Sequence, residues 1–289
     1  MQRFEFQSDA DGHTIAAYRW DAATPPRAVV QIAHGLAEHA QRYSRFAAEL
    51  VSRGYTVYAN DHRGHGGSMS GVAGDFGAGG WNALVADVGQ LNRIARAAHP
   101  DVPLVLFGHS LGSFATQFFL LDHSAEVDAA ALSGSSDLVA LAQLAASGAD
   151  VSFSAFNAAF EPARTPFDWL SRDAAEVDAY IADPLCGFDA PATSGQSLMM
   201  AAPRLGEPGA LASIRRDLPL LILSGDRDPV SGAGALFHSL VARYREAGLT
   251  RVRDILYADG RHEMLNETNR AAVTADILDW LDGALTRRH

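Results

Sequence analysis

The sequence predicts an α/β fold: a mostly parallel, eight-stranded sheet flanked by helices, interrupted late by a helical insert. Two observations carry that prediction. From residue 28 onward, short β-like runs alternate with helical periods, and strand–helix–strand repeated in this way makes a parallel sheet covered on both faces. Then more than 80 residues separate a strand ending near 132 from one starting at 220, far more than a crossover needs.

The elements follow in order. Runs at 3–7 and 14–20 flank the turn Asp9-Ala10-Asp11-Gly12 and read as a hairpin. Further strands are predicted at 28–33, 56–60, 104–107, 127–132, 220–223 and 251–257. Helical periods fall at 42–53, 81–98, 112–123, 232–246 and 267–285. In the first two, Phe46, Leu50 and Val51, then Leu84, Val88, Leu91 and Ile94, mark one apolar face at spacings of three to four. The insert contributes apolar helical stretches at 138–146, 153–160 and 167–170, broken by prolines from Pro162 to Pro208. Residues 1–134 and 211–289 are therefore expected to form the core, and 135–210 a mostly helical cap.

Composition narrows the function. The 289 residues carry a formal charge of −11 and no basic run, which argues against a nucleic-acid partner. All 23 basic residues are arginine, so Schiff-base, pyridoxal-phosphate, Walker-lysine and Ser-Lys mechanisms are excluded. Cys186 stands alone, which rules out an intrachain disulfide and a multi-thiolate metal cluster. The start lacks an apolar signal core, and no run reaches the roughly 18 apolar residues of a spanning helix. A cytoplasmic protein is the expectation, and no cofactor is implied.

The most informative stretch is Leu104-Val105-Leu106-Phe107-Gly108-His109-Ser110-Leu111-Gly112. A buried strand runs into Gly-x-Ser-x-Gly and a helix follows, which is the context a nucleophile elbow requires. A serine hydroxyl needs a base, and the base needs an acid to orient it. In strand-ending loops the order Ser, Asp/Glu, His places the base at His262, after the final strand. The acid lies after the strand at 220–223, where position alone leaves Asp226 and Asp228 equally eligible. His109 precedes the acid, while His123, His238 and His289 lie in or beyond helices. Two N–H donors must receive a developing oxyanion. One is the amide of Leu111, and the loop His34-Gly35-Leu36-Ala37-Glu38-His39 supplies the other at Leu36.

Other motifs carry less. Gly64-His65-Gly66-Gly67 and Gly77-Ala78-Gly79-Gly80 do not complete a nucleotide fingerprint. His62 and His65 lack a third metal ligand at suitable spacing, so no metal site is expected. The aromatic strip Phe153, Phe156, Phe160, Phe167 and Trp169 reads either as the core of the insert or as a lipid-facing lining.

Together these motifs resemble the α/β-hydrolase superfamily, and within it the monoacylglycerol lipase and lysophospholipase group. The resemblance rests on His34–His39 with Arg42-Tyr43, Asp61-His62-Arg63-Gly64-His65-Gly66, Gly108–Gly112, and Ser171-Arg172-Asp173 with Asp183-Pro184-Leu185 in the insert. It spans nearly the whole chain. It implies a serine carboxylic-ester hydrolase with Ser110 as nucleophile, Asp228 rather than Asp226 as acid, and His262 as base. Leu36 replaces a smaller residue common in those lipases. The substrates it implies are monoacylglycerols, lysophospholipids or related acyl esters; a small-ester hydrolase or an aminopeptidase is the alternative. An aminopeptidase would need an acidic cluster, for which Asp173, Glu176 and Asp178 are the candidates. Leu144, Phe153, Phe156, Phe160 and Leu170 are the expected acyl-channel lining, and the cap is where transient, peripheral membrane contact is expected.

Overall fold

The computed structural model describes residues 1–286, so His289 lies outside the described residues. Its eight strands are β1 Gln2–Gln7, β2 Thr14–Trp20, β3 Ala28–Ala33, β4 Tyr55–Asn60, β5 Leu104–His109, β6 Ala129–Ser133, β7 Leu220–Gly225 and β8 Val252–Tyr257. They form one sheet in the order β1-β2-β4-β3-β5-β6-β7-β8. The expected hairpin is present: β1 pairs antiparallel with β2, which runs antiparallel to β4. Every later pairing is parallel.

Parallel strands in the middle of such a sheet must be apolar on both faces. The alternation of side chains shows where each face goes. Val29, Leu104 and Leu106 point to one core, with Trp81, Leu84, Phe118 and Phe237. Val30, Ile32, Val105 and Phe107 point to the other, with Phe46, Leu50, Ile277 and Leu281. Helices α1 (Ser44–Ser52), α2 (Gly80–Ala98) and α3 (Leu111–His123) follow the early strands, α2 and α3 on the first face and α1 on the second. The predicted helix at 42–53 begins instead as a 3-10 turn over Ala40–Tyr43.

Between β6 and β7 the chain forms α4 (Leu138–Ala146), α5 (Phe153–Ala158), α6 (Ala174–Ala182) and α7 (Ala192–Ala201). Helices α8 (Ala235–Glu246) and α9 (Arg270–Leu285) complete the chain. The bounds of α4 are those predicted, whereas residues 167–170 are turn rather than helix. The backbone there is committed elsewhere: the Trp169 and Leu170 carbonyls accept the amides of His262 and Glu263 at 3.4 and 2.8 Å. Among the described residues, no helix is long and apolar enough to cross a membrane.

Candidate active site

Ser110 sits at the tight turn between β5 and α3 with φ 49°, a left-handed conformation that costs a non-glycine residue free energy. Two glycines allow the turn. A Cβ at Gly112 would lie 2.1 Å from the Ala33 carbonyl oxygen, and one at Gly108 would lie 2.4 Å from that of Gly112. The Ser110 amide donates to Ser133 on β6 at 2.9 Å, which locks the elbow to the sheet.

The loops after β7 and β8 bring the other two residues together. Asp228 and His262 are fully or almost fully buried, and His262 Nδ1 lies 3.0 Å from Asp228 Oδ1. The same Oδ1 accepts the Val230 amide at 2.9 Å, and Oδ2 accepts the Ser224 hydroxyl at 2.7 Å. Burial favours the neutral forms of both partners, but their mutual attraction outweighs it. The pKa of His262 is raised and that of Asp228 is lowered. Asp226 takes no part: its amide donates to Tyr257 O, and its Oδ1 has no partner among the described residues.

Ser110, His262, Leu36, Trp169 and Leu170 border one small cavity of about 20 Å³, room for about one water. Among the described residues, the amides of Leu36 and Leu111 have no intramolecular acceptor. The side chains of the same two residues line a larger apolar groove of about 560 Å³, shared with Phe76, Val151, Phe153 and Leu198. Of the predicted channel residues, Phe153 borders both cavities and Leu170 the smaller one. The other three reach neither. Leu144 is 46% exposed, Phe156 packs on Trp169 with ring centres 5.3 Å apart, and Phe160 lies under the Arg261 guanidinium.

Sequence reasoning missed how His262 is held. The His262 ring lies between His109 and Trp169, at centroid distances of 4.7 and 4.9 Å. Burial, assisted by the charge on His262, pushes His109 down to about 4, so it is a neutral partner at pH 7. Behind the site, buried Arg42 donates to both carboxylate oxygens of Glu263, at 2.5 and 2.8 Å, and to Glu38 at 2.7 Å. Burial alone would raise Glu263, but Arg42 prevails and holds it down to about 2. Glu38 also accepts the Gly35 amide at 2.5 Å and the Tyr43 hydroxyl at 2.7 Å. One arginine thus joins the loop carrying Leu36 to the loop carrying His262. The usable signal was Glu38 and Arg42 at a spacing of four, with an acid, Glu263, directly after His262.

His34, His62 and His65 of the two His–Gly motifs lie away from the Ser110–His262 cavity. They pack together in a buried group, the His34 ring tilted against His62 and edge-on to His65, with His34 Nε2 accepting the His62 amide at 2.9 Å. Burial pushes His62 down to about 3 and His65 to about 4. The three acidic residues considered for an ammonium site are all engaged by arginine. Asp173 pairs with Arg270, Glu176 with Arg45 and Asp178 with Arg164, at 2.6 to 2.7 Å.

A family model described as serine aminopeptidase, S33, matches residues 24–269. The monoacylglycerol lipase of Mycolicibacterium smegmatis is 32% identical over 280 residues, covering 91% of this chain and 90% of that protein. The monoglyceride lipase of Mus musculus is 31% identical over 76% of this chain and 71% of its own. Among solved structures, a thermostable carboxyl esterase from Bacillus coagulans, in complex with glycerol, superposes with a TM-score of 0.87 at 26% identity over 98% of both chains. A soluble variant of the Saccharomyces cerevisiae monoglyceride lipase superposes with a TM-score of 0.73 at 20% identity, over 98% of this chain and 95% of that one, and shares the fold.

Proposed function

Because the chain belongs to the serine aminopeptidase S33 family of α/β-hydrolases, we propose that Ser110, His262 and Asp228 are its catalytic triad and that the amides of Leu36 and Leu111 form its oxyanion hole. The chain is a carboxylic-ester hydrolase. Ser110 Oγ attacks the ester carbonyl while His262 takes its proton, and the two amides receive the oxyanion. His262, held in one tautomer by Asp228, returns the proton to the leaving alcohol. Water, activated by the same base, then releases the acid and regenerates the serine.

The observation that carries the substrate reading is the apolar groove beside the elbow, lined by the side chains of Leu36 and Leu111 themselves. An acyl chain whose carbonyl oxygen meets those amides has that groove as its apolar surroundings. We read residues 135–210 as the cap over a core of 1–134 and 211–289, and monoacylglycerols or related medium- and long-chain acyl esters as the substrates. The arginine pairing of Asp173, Glu176 and Asp178 weighs against an aminopeptidase, which must bind a free ammonium group. Exposed Leu144, Ile181 and Met200 on the insert support transient contact of the cap with a lipid surface. Each methylene entering apolar surface contributes about 0.8 kcal/mol, close to fourfold. Across p-nitrophenyl esters of increasing chain length, kcat/KM therefore climbs over several carbons before levelling, and monoacylglycerols are turned over. A flat profile from short to medium chains refutes the lipase reading and leaves a small-ester hydrolase.

A further inference from the structure

His39 lies three residues beyond Leu36 on the loop after β3, and Asp183 and Cys186 lie on the loop after α6. The fold brings them together across 144 residues of sequence. His39 Nε2 is 2.9 Å from Asp183 Oδ2. One imidazole nitrogen, one carboxylate oxygen and the Cys186 sulfur all lie within 4.8 Å of one another. Nitrogen, oxygen and sulfur donors together suit a borderline-soft divalent cation. Zinc holds such ligands at about 2.0–2.3 Å, which places them roughly 3.5 Å apart around a tetrahedral centre. Side-chain movements of about an ångström would reach that geometry.

The surrounding backbone is already fixed. The Gly187 amide and the Tyr180 hydroxyl both donate to the Ala37 carbonyl, at 3.0 and 2.8 Å, so the two loops meet beside the cluster. Asp183 Oδ1 accepts the Leu185 amide at 2.9 Å, which leaves Oδ2 turned toward His39. His39 is only 7% exposed, yet its Nδ1 has no partner among the described residues. A buried ring nitrogen without a partner is uncommon in a finished core. An ion taken up in place of the proton between His39 Nε2 and Asp183 Oδ2 moves the ring proton to that Nδ1, where nothing among the described residues competes for it. Asp183 and Cys186 are partly exposed, so an ion and a fourth, solvent ligand have access. The nearby charge of Arg42 is already offset by Glu38 and Glu263.

We propose that His39, Asp183 and Cys186 form a three-ligand site for a thiophilic divalent cation of the zinc class, which clamps the loop after α6 onto the loop that carries Leu36. Binding forms a metal–thiolate bond and releases the thiol proton to buffer; no electron is transferred. The full-length protein, stripped with EDTA and freed of chelator, is titrated with zinc against a chromophoric indicator, and with cobalt by absorption. The expected result is one equivalent of zinc bound, a thiolate-to-cobalt charge-transfer band, and a melting temperature raised by zinc. Cys186→Ala removes the band and weakens zinc by more than about tenfold, since even loss of an outer-shell partner costs 10–100-fold. His39→Gln weakens zinc likewise, with far-UV circular dichroism confirming that both variants fold. Absence of stoichiometric uptake overturns the proposal, as does uptake by the folded Cys186→Ala protein equal to that of the parent. None of these readouts uses ester turnover, so the site stands or falls independently of the hydrolase reading.

Discussion

Replacing Asp228 by Asn separates two contributions of a triad acid, its charge and its control of the histidine tautomer. Asp228 Oδ1 accepts both His262 Nδ1–H and the Val230 amide, while Oδ2 accepts the Ser224 hydroxyl. An asparagine at 228 can keep its oxygen in the Oδ1 position, because the Val230 N–H demands an acceptor there. Its NH2 then meets Ser224, whose hydroxyl can rotate from donor to acceptor. The tautomer of His262 survives, and what is lost is the negative charge facing the imidazolium that forms during attack. Two unit charges about 4 Å apart at an effective dielectric of about 20 interact by about 4 kcal/mol. At 1.36 kcal/mol per decade, that is about a thousandfold in kcat.

A wrong tautomer would cost more, about 10⁴-fold by the behaviour of other triads. The assay is steady-state hydrolysis of a p-nitrophenyl ester by Asp228→Asn and Asp226→Asn. Proton NMR of the variant should retain the low-field Nδ1–H resonance if the tautomer is kept. Asp226→Asn should change kcat by less than about tenfold, since Asp226 touches neither His262 nor Ser110. A loss below tenfold in Asp228→Asn, or a larger loss in Asp226→Asn, refutes the assignment of the acid. Loss of the Nδ1–H signal refutes the reasoning about Val230.

Four further outcomes can be checked. His262 must be neutral to accept the proton and its pKa is raised, so kcat/KM should rise with pH through an apparent value above 6.5, measured on a neutral ester; a midpoint below 6 contradicts it. Arg42→Met leaves Glu38 and Glu263 buried without their cation and should cost about 3–5 kcal/mol in urea unfolding, with Arg42→Lys losing less. Phe153→Ala should flatten the chain-length climb because Phe153 borders both cavities, whereas Phe156→Ala and Phe160→Ala should lower the melting temperature and reduce all esters alike. In the Cys186→Ala variant, which lacks the proposed zinc site, EDTA should leave turnover unchanged, since the proposed proton transfers run through His262 alone; an activity loss in that variant reversed by zinc would place a metal in the reaction.

The central sheet was readable in the sequence because a strand buried on both faces has no choice of residue type: Leu104-Val105-Leu106-Phe107 reads the same whichever core each side chain enters. The elbow was readable because only glycine fits at 108 and 112, so the chemistry leaves a compositional mark. The acid was not settled by position, since Asp226 and Asp228 differ only in which one the β7–β8 loop contacts turn toward His262. Helix α7 was missed for another reason. Its Ala, Ser and Gly content gives no apolar period, and it is held by packing on α2, with Ser194 and Ser197 accepting the amides of Phe76 and Trp81. Clusters built by tertiary contact, such as His39 with Asp183 and Cys186, leave no spacing to read.

The insert shows why periodicity alone misassigned residues 167–170. The apolar side chains of Trp169 and Leu170 suit a helix, but in the fold this segment does the work of a strap. Its carbonyls accept amides of the base loop, Trp169 lies against the His262 ring, and Arg172 donates to fully buried Glu267 at 2.9 Å. Glu267 in turn accepts the Arg261 amide at 3.0 Å, one residue before the base. Residues 168–172 are therefore bonded to the catalytic loop and cannot move away from the sheet without moving His262. Among the described residues, 138–158 make no backbone bond to that loop and hold the exposed Leu144 and the groove-lining Phe153, yet α5 is tied to the strap: Asn157 accepts the Trp169 amide at 3.0 Å and donates to the Thr165 carbonyl at 2.9 Å. If an acyl chain is admitted by movement here, the movement falls to the exposed stretch 146–150 leading from α4 to α5, whose Ala149 and Asp150 line the groove, while Asn157 holds α5 to the strap beside His262.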